Sequence, residues 1–352
     1  MSVVTFKCPN CDAELTFDPE TQRFVCNYCQ GSFTQTELEA GQPASASDDT
    51  AQGAEAPTVS ADTGAAVYSC PSCGAEITVD ATTAATYCFY CHNPVVLAGR
   101  LEGKFMPHKL IPFKISREEA MERFMAWTRK KWFVPKHFFS KKQIEKLTGV
   151  YFPYWLVDCD VAGSLTAKAE RVRRWRSGNT EYIETSHYML TREGNIHFED
   201  VIKSALKKSN KGLVESVQPF QSSDLIGFSM PYLSGFQAEK RDIEREELQQ
   251  EVVNDVNTYS RQLLLDTIAG YTSVTPLNVN MQFFHENWDY TLLPVWVLTY
   301  QGGNGKTYYY AMNGQTGTVF GRLPVSFGKL SALCGGIFVI LAVILLIAGW
   351  LF

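Results

Sequence analysis

From Leu330 to Phe352 the chain runs 23 residues without a charged side chain. As a helix rising about 1.5 Å per residue this stretch reaches roughly 34 Å, enough for a hydrocarbon layer of about 30 Å. A secretory signal sits at the opposite end and has a shorter apolar region. A core helix of this length ordinarily keeps a polar face. The expected element is therefore a single transmembrane helix over 330–352. Arg322 and Lys329 precede it and no basic residue follows, which places the preceding chain in the cytoplasm. Trp350 falls where an aromatic anchor meets the far interface. The expectation is a tail-anchored protein of the inner (cytoplasmic) membrane, N-terminus cytoplasmic.

The rest is long enough for two or more folded units. In a cytoplasmic chain, ten cysteines point to metal ligation rather than to disulfides. Charge is unevenly spread: residues 1–99 hold two basic side chains, Lys7 and Arg23, against twelve acidic ones.

Cys8-Pro9-Asn10-Cys11 is followed after 14 residues by Cys26-Asn27-Tyr28-Cys29, and Cys70-Pro71-Ser72-Cys73 after 14 residues by Cys88-Phe89-Tyr90-Cys91. The second unit repeats the first at a shift of 62 residues, with Ala13-Glu14-Leu15-Thr16 matching Ala75-Glu76-Ile77-Thr78. Each Cys-x-x-Cys turn brings two sulfurs to one ion, and two such turns close a tetrahedron. Four protein ligands leave no open position, so two structural Zn²⁺ ions are expected on these eight cysteines, with metal binding supplying folding free energy to small segments. Iron in a tetrahedral thiolate site is the alternative metal; a redox dithiol uses one such motif rather than matched pairs. Cys159, a small buried thiol after an apolar run, and Cys334, within the membrane span, need no function, and His92 is expected to be a surface residue beside a completed site. Phosphate contacts need lysine or arginine, and the second unit has neither between Tyr68 and Val96. A protein partner is thus expected in preference to nucleic acid.

The fold class expected is α+β: two small four-cysteine zinc ribbons, an antiparallel-sheet body with one long helix, and the terminal helix. The boundaries are ribbon 1 over 1–36, a flexible acidic linker over 37–66, ribbon 2 over 67–98, a basic helical segment over 99–149 and an α+β domain over 150–326. The linker composition leaves the ribbons separately tethered. Ser116-Arg117-Glu118-Glu119 fits a capping box opening a helix that ends near Phe133, before Pro135. A second helix is expected over Lys141–Thr148. Arg129, Lys130, Lys131, Lys136, Lys141 and Lys142 form a basic cluster, either a solvated surface or a contact for anionic lipid or the acidic linker. Strands are expected at Val150–Asp160, Gly163–Trp175, Tyr182–Arg192, Ile196–Lys203, Val214–Phe220, Ser273–Phe284, Tyr290–Tyr300, Lys306–Met312 and Thr318–Leu323. Gly194-Asn195 reads as a turn, and Asp242–Ile268 as a long helix. Phe152-Pro153-Tyr154-Trp155 echoes Leu293-Pro294-Val295-Trp296, as if each opened a strand in two related halves.

Motifs for catalysis fail on inspection. Gly305-Lys306-Thr307 lacks the earlier glycine of a phosphate loop, since that position is Tyr300, and precedes a strand-like run. His187 and His197 have no ligand partners at matching spacing, and no nucleophile–base pair is evident. The chain is expected not to be an enzyme and to have no small-molecule substrate.

The ribbon motifs, Ile111-Pro112-Phe113, Gly149-Val150-Tyr151-Phe152-Pro153-Tyr154-Trp155, Tyr232-Leu233-Ser234-Gly235-Phe236, Leu292-Leu293-Pro294-Val295-Trp296, Asn313-Gly314-Gln315-Thr316-Gly317 and the terminal span occur in one order. Together they resemble the bacterial membrane-anchored proteins described as containing TFIIB-type zinc ribbons, sometimes labelled primosomal helicase-like. The resemblance implies a membrane anchor for stress proteins of the phage-shock protein A and flotillin-like (SPFH) types. The function expected is a membrane-anchored zinc-ribbon adaptor that recruits cytoplasmic proteins; the alternative is a nucleic-acid-associated ribbon protein of transcription or replication.

Overall fold

The computed structural model describes residues 3–41, 66–88, 90–135, 146–207, 216–301 and 306–351. It is mixed α+β, with a large, mostly antiparallel sheet and few α-helices. Two compact units share the chain: Met1–Pro153, Lys207–Lys240 and Leu292–Phe352 make one, Tyr154–Leu206 and Arg241–Thr291 the other.

The first unit begins with β1 (Val3–Val4), β2 (Leu15–Asp18), β3 (Arg23–Cys26) and β4 (Ser32–Phe33). Strands β2, β3 and β4 form their own small sheet, in which Phe17 pairs with Phe24 and Leu15 with Cys26. Helix α1 (Gln35–Gly41) opens on a capping box. The Thr34 hydroxyl accepts from the Glu37 amide at 3.3 Å, and the Glu37 carboxylate accepts from the Thr34 amide at 2.6 Å. Residues 37–41, expected in the linker, are therefore helical; 42–65 lie outside the described residues.

The repeat follows as β5 (Ala66–Ser69), β6 (Glu76–Val79), β7 (Thr83–Tyr87) and β8 (Pro94–Leu97). Here β5 and β6 pair, while β7 and β8 join the large sheet, where β1 adds to β8. Further on come β9 (Lys109–Leu110), α2 (Arg117–Arg129), the long β10 (Thr148–Ser177) and β11 (Thr180–Ser204), β12 (Ile226–Gly227), β13 (Gln237–Glu239), α3 (Arg245–Asp266), β14 (Ser273–Gln301), β15 (Thr307–Asn313), β16 (Val319–Gly321) and α4 (Phe327–Leu351). In the first unit β7 pairs with β13, β13 runs parallel to the start of β10, and the end of β14 pairs with β15 and β15 with β16.

Neither ribbon hangs on a free tether. A hairpin as thin as β2–β3 cannot cover both sides of Phe17 and Phe24, and Tyr232 supplies the missing cover with ring centroids at 4.9 and 5.1 Å. Phe17 donates its amide to the Ser234 carbonyl at 3.0 Å, and the Ser234 hydroxyl donates to the Leu15 carbonyl. Ribbon 2 contributes β7 and β8 to the body's own sheet. The expectation of separately tethered ribbons is thereby corrected.

Helix α2 is capped by Ser116, whose hydroxyl accepts from the Glu119 amide at 3.3 Å. The Glu119 carboxylate turns instead to Arg123, 2.7 Å away, so the box is half made. The helix stops at Arg129, short of the expected Phe133. Ala120, Phe124 and Thr128 are its buried face, with Phe124 against Tyr310 at 4.6 Å. The helix expected over 141–148, Lys136, Lys141, Lys142, Gly305 and the start of the strand at Val214 fall wholly or largely outside the described residues; Val217–Phe220 is not a strand.

In the second unit β10 and β11 form one antiparallel ladder from Tyr154↔Ser204 to Ser177↔Thr180. The four strands expected here are thus two. Gly194, expected at a turn, stands opposite Gly163 inside the ladder, and the turn falls at Gly178-Asn179, where Gly178 has φ +62°. Helix α3 buries Leu248, Val252, Val256, Ser260 and Leu264 at a four-residue spacing, while Tyr259 and Leu263 are exposed. Leu264 packs on Leu165 and Ala167. Nearby, the Lys203 ammonium reaches Glu251 at 2.9 Å and Asp255 at 2.5 Å. Strand β14 is likewise continuous, so Leu293 lies well inside a strand rather than opening one.

Candidate metal centres

The eight expected ligands fall into two groups, Cys8/Cys11/Cys26/Cys29 and Cys70/Cys73/Cys88/Cys91, with the sulfurs of each group all within 4.8 Å of one another. All four knuckles are built alike. The amide four residues after the first cysteine donates back to that cysteine's carbonyl: Asp12 to Cys8, Gln30 to Cys26, Gly74 to Cys70 and His92 to Cys88, at 2.8–2.9 Å. That fourth residue is left-handed each time, with φ of 60°, 58°, 74° and 60°. The chain then reverses, and the cysteine amide donates to the carbonyl one residue further on, at Ala13, Gly31, Ala75 and Asn93. His92, expected as a surface residue beside the site, holds the turn of its knuckle through its backbone.

The donor sets fit a tetrahedral thiolate ion. Sulfur pairs stand 3.5 and 3.6 Å apart in the first group and 3.7 and 3.7 Å in the second. Four sulfurs at a bond length of about 2.3 Å from one ion would be about 3.8 Å from each other. Backbone amides are aimed at the ligands as well. Those of Cys29 and then Tyr28 lower the Cys26 thiol to about 7, and those of Cys91 and Tyr90 do the same for Cys88. Their neighbours cannot follow, because like charges at this separation repel. Burial and the sulfurs of Cys73, Cys88 and Cys70 push Cys91 up to about 12; Cys11 is held at about 12 against the pull of the Ala13 amide. A divalent cation among the sulfurs removes that conflict. Each group is thus able to hold one metal ion.

Two histidines of the second unit lie beside carboxylates. His187 meets Glu170 at 3.2 Å, while His197 lies between Asp160 at 2.5 Å and Glu199 at 3.2 Å. The two histidines share strand β11 and pair with different residues of β10. Cys159 is buried, where desolvation pushes its thiol up to about 11, and Cys334 lies on α4. A groove of about 800 Å³ in the first unit is bordered by Asp18, Glu20, Arg117, Glu118 and Phe236.

One feature escaped the sequence reading. Tyr28 and Tyr90, at equivalent places in the two repeats, are 83% and 72% exposed at the knuckle tips. Both follow the spacer residue of a Cys-x-Tyr-Cys, so the repeat itself was the available signal. At the other end, Phe327–Ile347 has a mean hydropathy of 2.9 and no part buried within the protein, and is long and apolar enough to cross a membrane.

Compared with known proteins, the chain is 32% identical over 352 residues to a protein of Bacillus subtilis (strain 168) described as the uncharacterized protein YdjG, covering 99% of each. No family model matches it, and no solved structure matches it.

Proposed function

The chain belongs to the family of the Bacillus subtilis protein YdjG, and from that premise we propose that it is a membrane-anchored zinc-ribbon adaptor without enzymatic activity. Each four-sulfur group holds one Zn²⁺, which serves as a structural cross-link. Helix α4 crosses the inner membrane once, and Arg322 and Lys329 keep the preceding chain in the cytoplasm. What carries the proposal is the pairing of two four-cysteine clusters with one apolar helix, none of whose residues Phe327–Ile347 is buried, in the same chain.

An ion with four protein thiolates has no position for water or substrate, so the ribbons' contribution is shape and surface. The surface they offer is acidic and ends in two aromatic tips, Tyr28 and Tyr90. Aromatic side chains carry a large share of the energy in protein interfaces, and acidic surfaces repel phosphate backbones. The partners are therefore cytoplasmic proteins. Phage-shock protein A-like and SPFH/flotillin-like proteins are the candidates that the family resemblance supplies.

Removing residues 1–98 is not a clean test, because it would strip β1, β7 and β8 from the main sheet. The test is affinity purification of the full-length, detergent-solubilised protein beside the Tyr28→Ala/Tyr90→Ala variant, with zinc measured on both. The expected result is two zinc ions in each sample and loss of partner from the variant only. Identical partners in both would remove the ribbons' role. Salt-sensitive binding of DNA or RNA by the intact protein would favour the nucleic-acid alternative.

A further inference from the structure

Helix α2 ends at Arg129, and the next residues, Lys130, Lys131 and Trp132, lead to the foot of α4. There the Phe133 carbonyl accepts from the Ser326 amide at 2.6 Å, and the Val134 carbonyl accepts from the Lys329 ammonium at 2.7 Å. These bonds hold the end of α2 close to the point where the apolar helix begins. A cleft of about 500 Å³ at this junction is lined by Trp127, Lys130, Lys131, Trp132 and Leu323.

The composition here is unusual for a surface facing only water. Trp132 is 78% exposed and Phe327 75%, with Val325 also exposed. Arg129, Lys130, Lys131 and Arg322 are exposed around them, and among the described residues none of the four pairs with a carboxylate. Lys131 leans over the Trp127 ring at 5.7 Å. Indoles favour the headgroup level of a bilayer, lysine stems snorkel from apolar contacts to phosphates, and clustered cations beside a membrane segment attract anionic lipid.

We propose that this junction is a second membrane contact: a headgroup-binding surface in which Arg129, Lys130, Lys131 and Arg322 take the phosphates of anionic phospholipids while Trp132 and Phe327 sit in the interface. The proposal rests on α4 spanning the bilayer. Continuity with that helix, fixed by the bonds at Phe133 and Val134, selects lipid as the occupant over a soluble acidic partner.

The test reconstitutes the full-length protein in phosphatidylcholine vesicles with and without phosphatidylglycerol. The emission of Trp132 is isolated as the difference between wild type and Trp132→Phe, in ordinary and brominated acyl chains. Carbonate extraction of the same vesicles reports separately on α4. The expected result is that bromination at least halves Trp132 emission when phosphatidylglycerol is present, and that Lys130→Gln/Lys131→Gln restores most of it. Unquenched Trp132 in a carbonate-resistant protein overturns the headgroup surface and leaves the anchor standing. Unquenched Trp132 in a protein that carbonate strips away overturns both. Quenching that ignores phosphatidylglycerol and the lysine substitutions also defeats the proposal. So does a lipid-free blue shift of Trp132 that grows with protein concentration, which would assign the face to a second copy of the chain.

Discussion

Phe113 and Phe236 stack face to face, with ring centroids 4.2 Å apart and planes 5° from parallel. Tyr151 and Trp296 close the cluster edge-on to Phe113 at 5.0 and 5.1 Å, and the Trp296 indole donates to the Ile115 carbonyl. Four of the segments that carry the family resemblance thus meet in one core: Ile111-Pro112-Phe113, the run from Gly149, Tyr232–Phe236 and the run from Leu292. Asn313-Gly314 adds a fifth. Its Asn313 amide group donates to the Val217 and Pro219 carbonyls at 2.9 and 3.1 Å.

Gly314 is where this stack is most sensitive. A Cβ there would stand 2.5 Å from Phe113 Cδ1 and 2.9 Å from Pro294, and the Phe113 ring is already stacked on Phe236. Gly314→Ala is expected to cost about 1–3 kcal/mol as overpacking. Adding Phe113→Leu should recover part of that loss, since the two sites are in contact. Thermal melts of the solubilised single and double variants check this; additive losses would show that the close approach is not the cause.

Loss of one metal centre should not be equivalent to loss of the other. Cys88 directly follows β7, which pairs with β13 in the main sheet, whereas Cys26 ends β3 in a separate three-stranded sheet. Metal binding is folding free energy in such modules. Cys26→Ser and Cys88→Ser should each cut bound zinc from two ions to one. Cys88→Ser should lower the melting temperature of the whole protein further. Metal analysis with near-UV circular dichroism melts decides, and equal melting temperatures would count against the coupling.

The ligands and the terminal helix were legible because their signals are local: fixed cysteine spacing, and a run without charge. What was not legible depended on long-range pairing. Gly178-Asn179 and Gly194-Asn195 offer the same turn chemistry, and only the register of β10 against β11 selects the first. Glu119 had the right spacing for a capping box, yet Arg123 one turn later offers its carboxylate a charged partner. The ribbons looked tethered because Tyr232, which covers Phe17 and Phe24, lies far along the chain from both. No pattern within either segment announces that contact.

In the second unit, the Asp160 carboxylate at 2.5 Å raises the His197 pKa, its hydrogen bond being the main cause, with Glu199 adding to it. A histidine raised in the folded state contributes stability fully below its unfolded pKa of about 6.5, and this is lost as pH rises through the folded value. The His197 Cε1 proton should titrate above a pH of about 6.5 in the wild type and fall back toward that value in Asp160→Asn. The variant should also lose part of the stability difference between mildly acidic and alkaline pH. An unmoved titration would show that the pair is not formed in solution.

His92 offers the sharpest separation of backbone from side-chain roles. It follows Cys91 directly, and an imidazole beside four thiolates invites assignment as a ligand. The geometry gives it a different task, because its φ of 60° matches the left-handed residue in each other knuckle and its amide donates to the Cys88 carbonyl at 2.9 Å. The equivalent position in Cys70-Pro71-Ser72-Cys73-Gly74 is a glycine, which takes that conformation without steric cost. His92→Gly should therefore keep two zinc ions per chain and leave stability unchanged or raised by up to about 1 kcal/mol. His92→Val, whose branched Cβ resists positive φ, should destabilise the second ribbon although it removes the same imidazole. Zinc content and melting temperature of the two variants settle the matter: metal loss in both would mean that the ring, rather than the turn, is what the site requires.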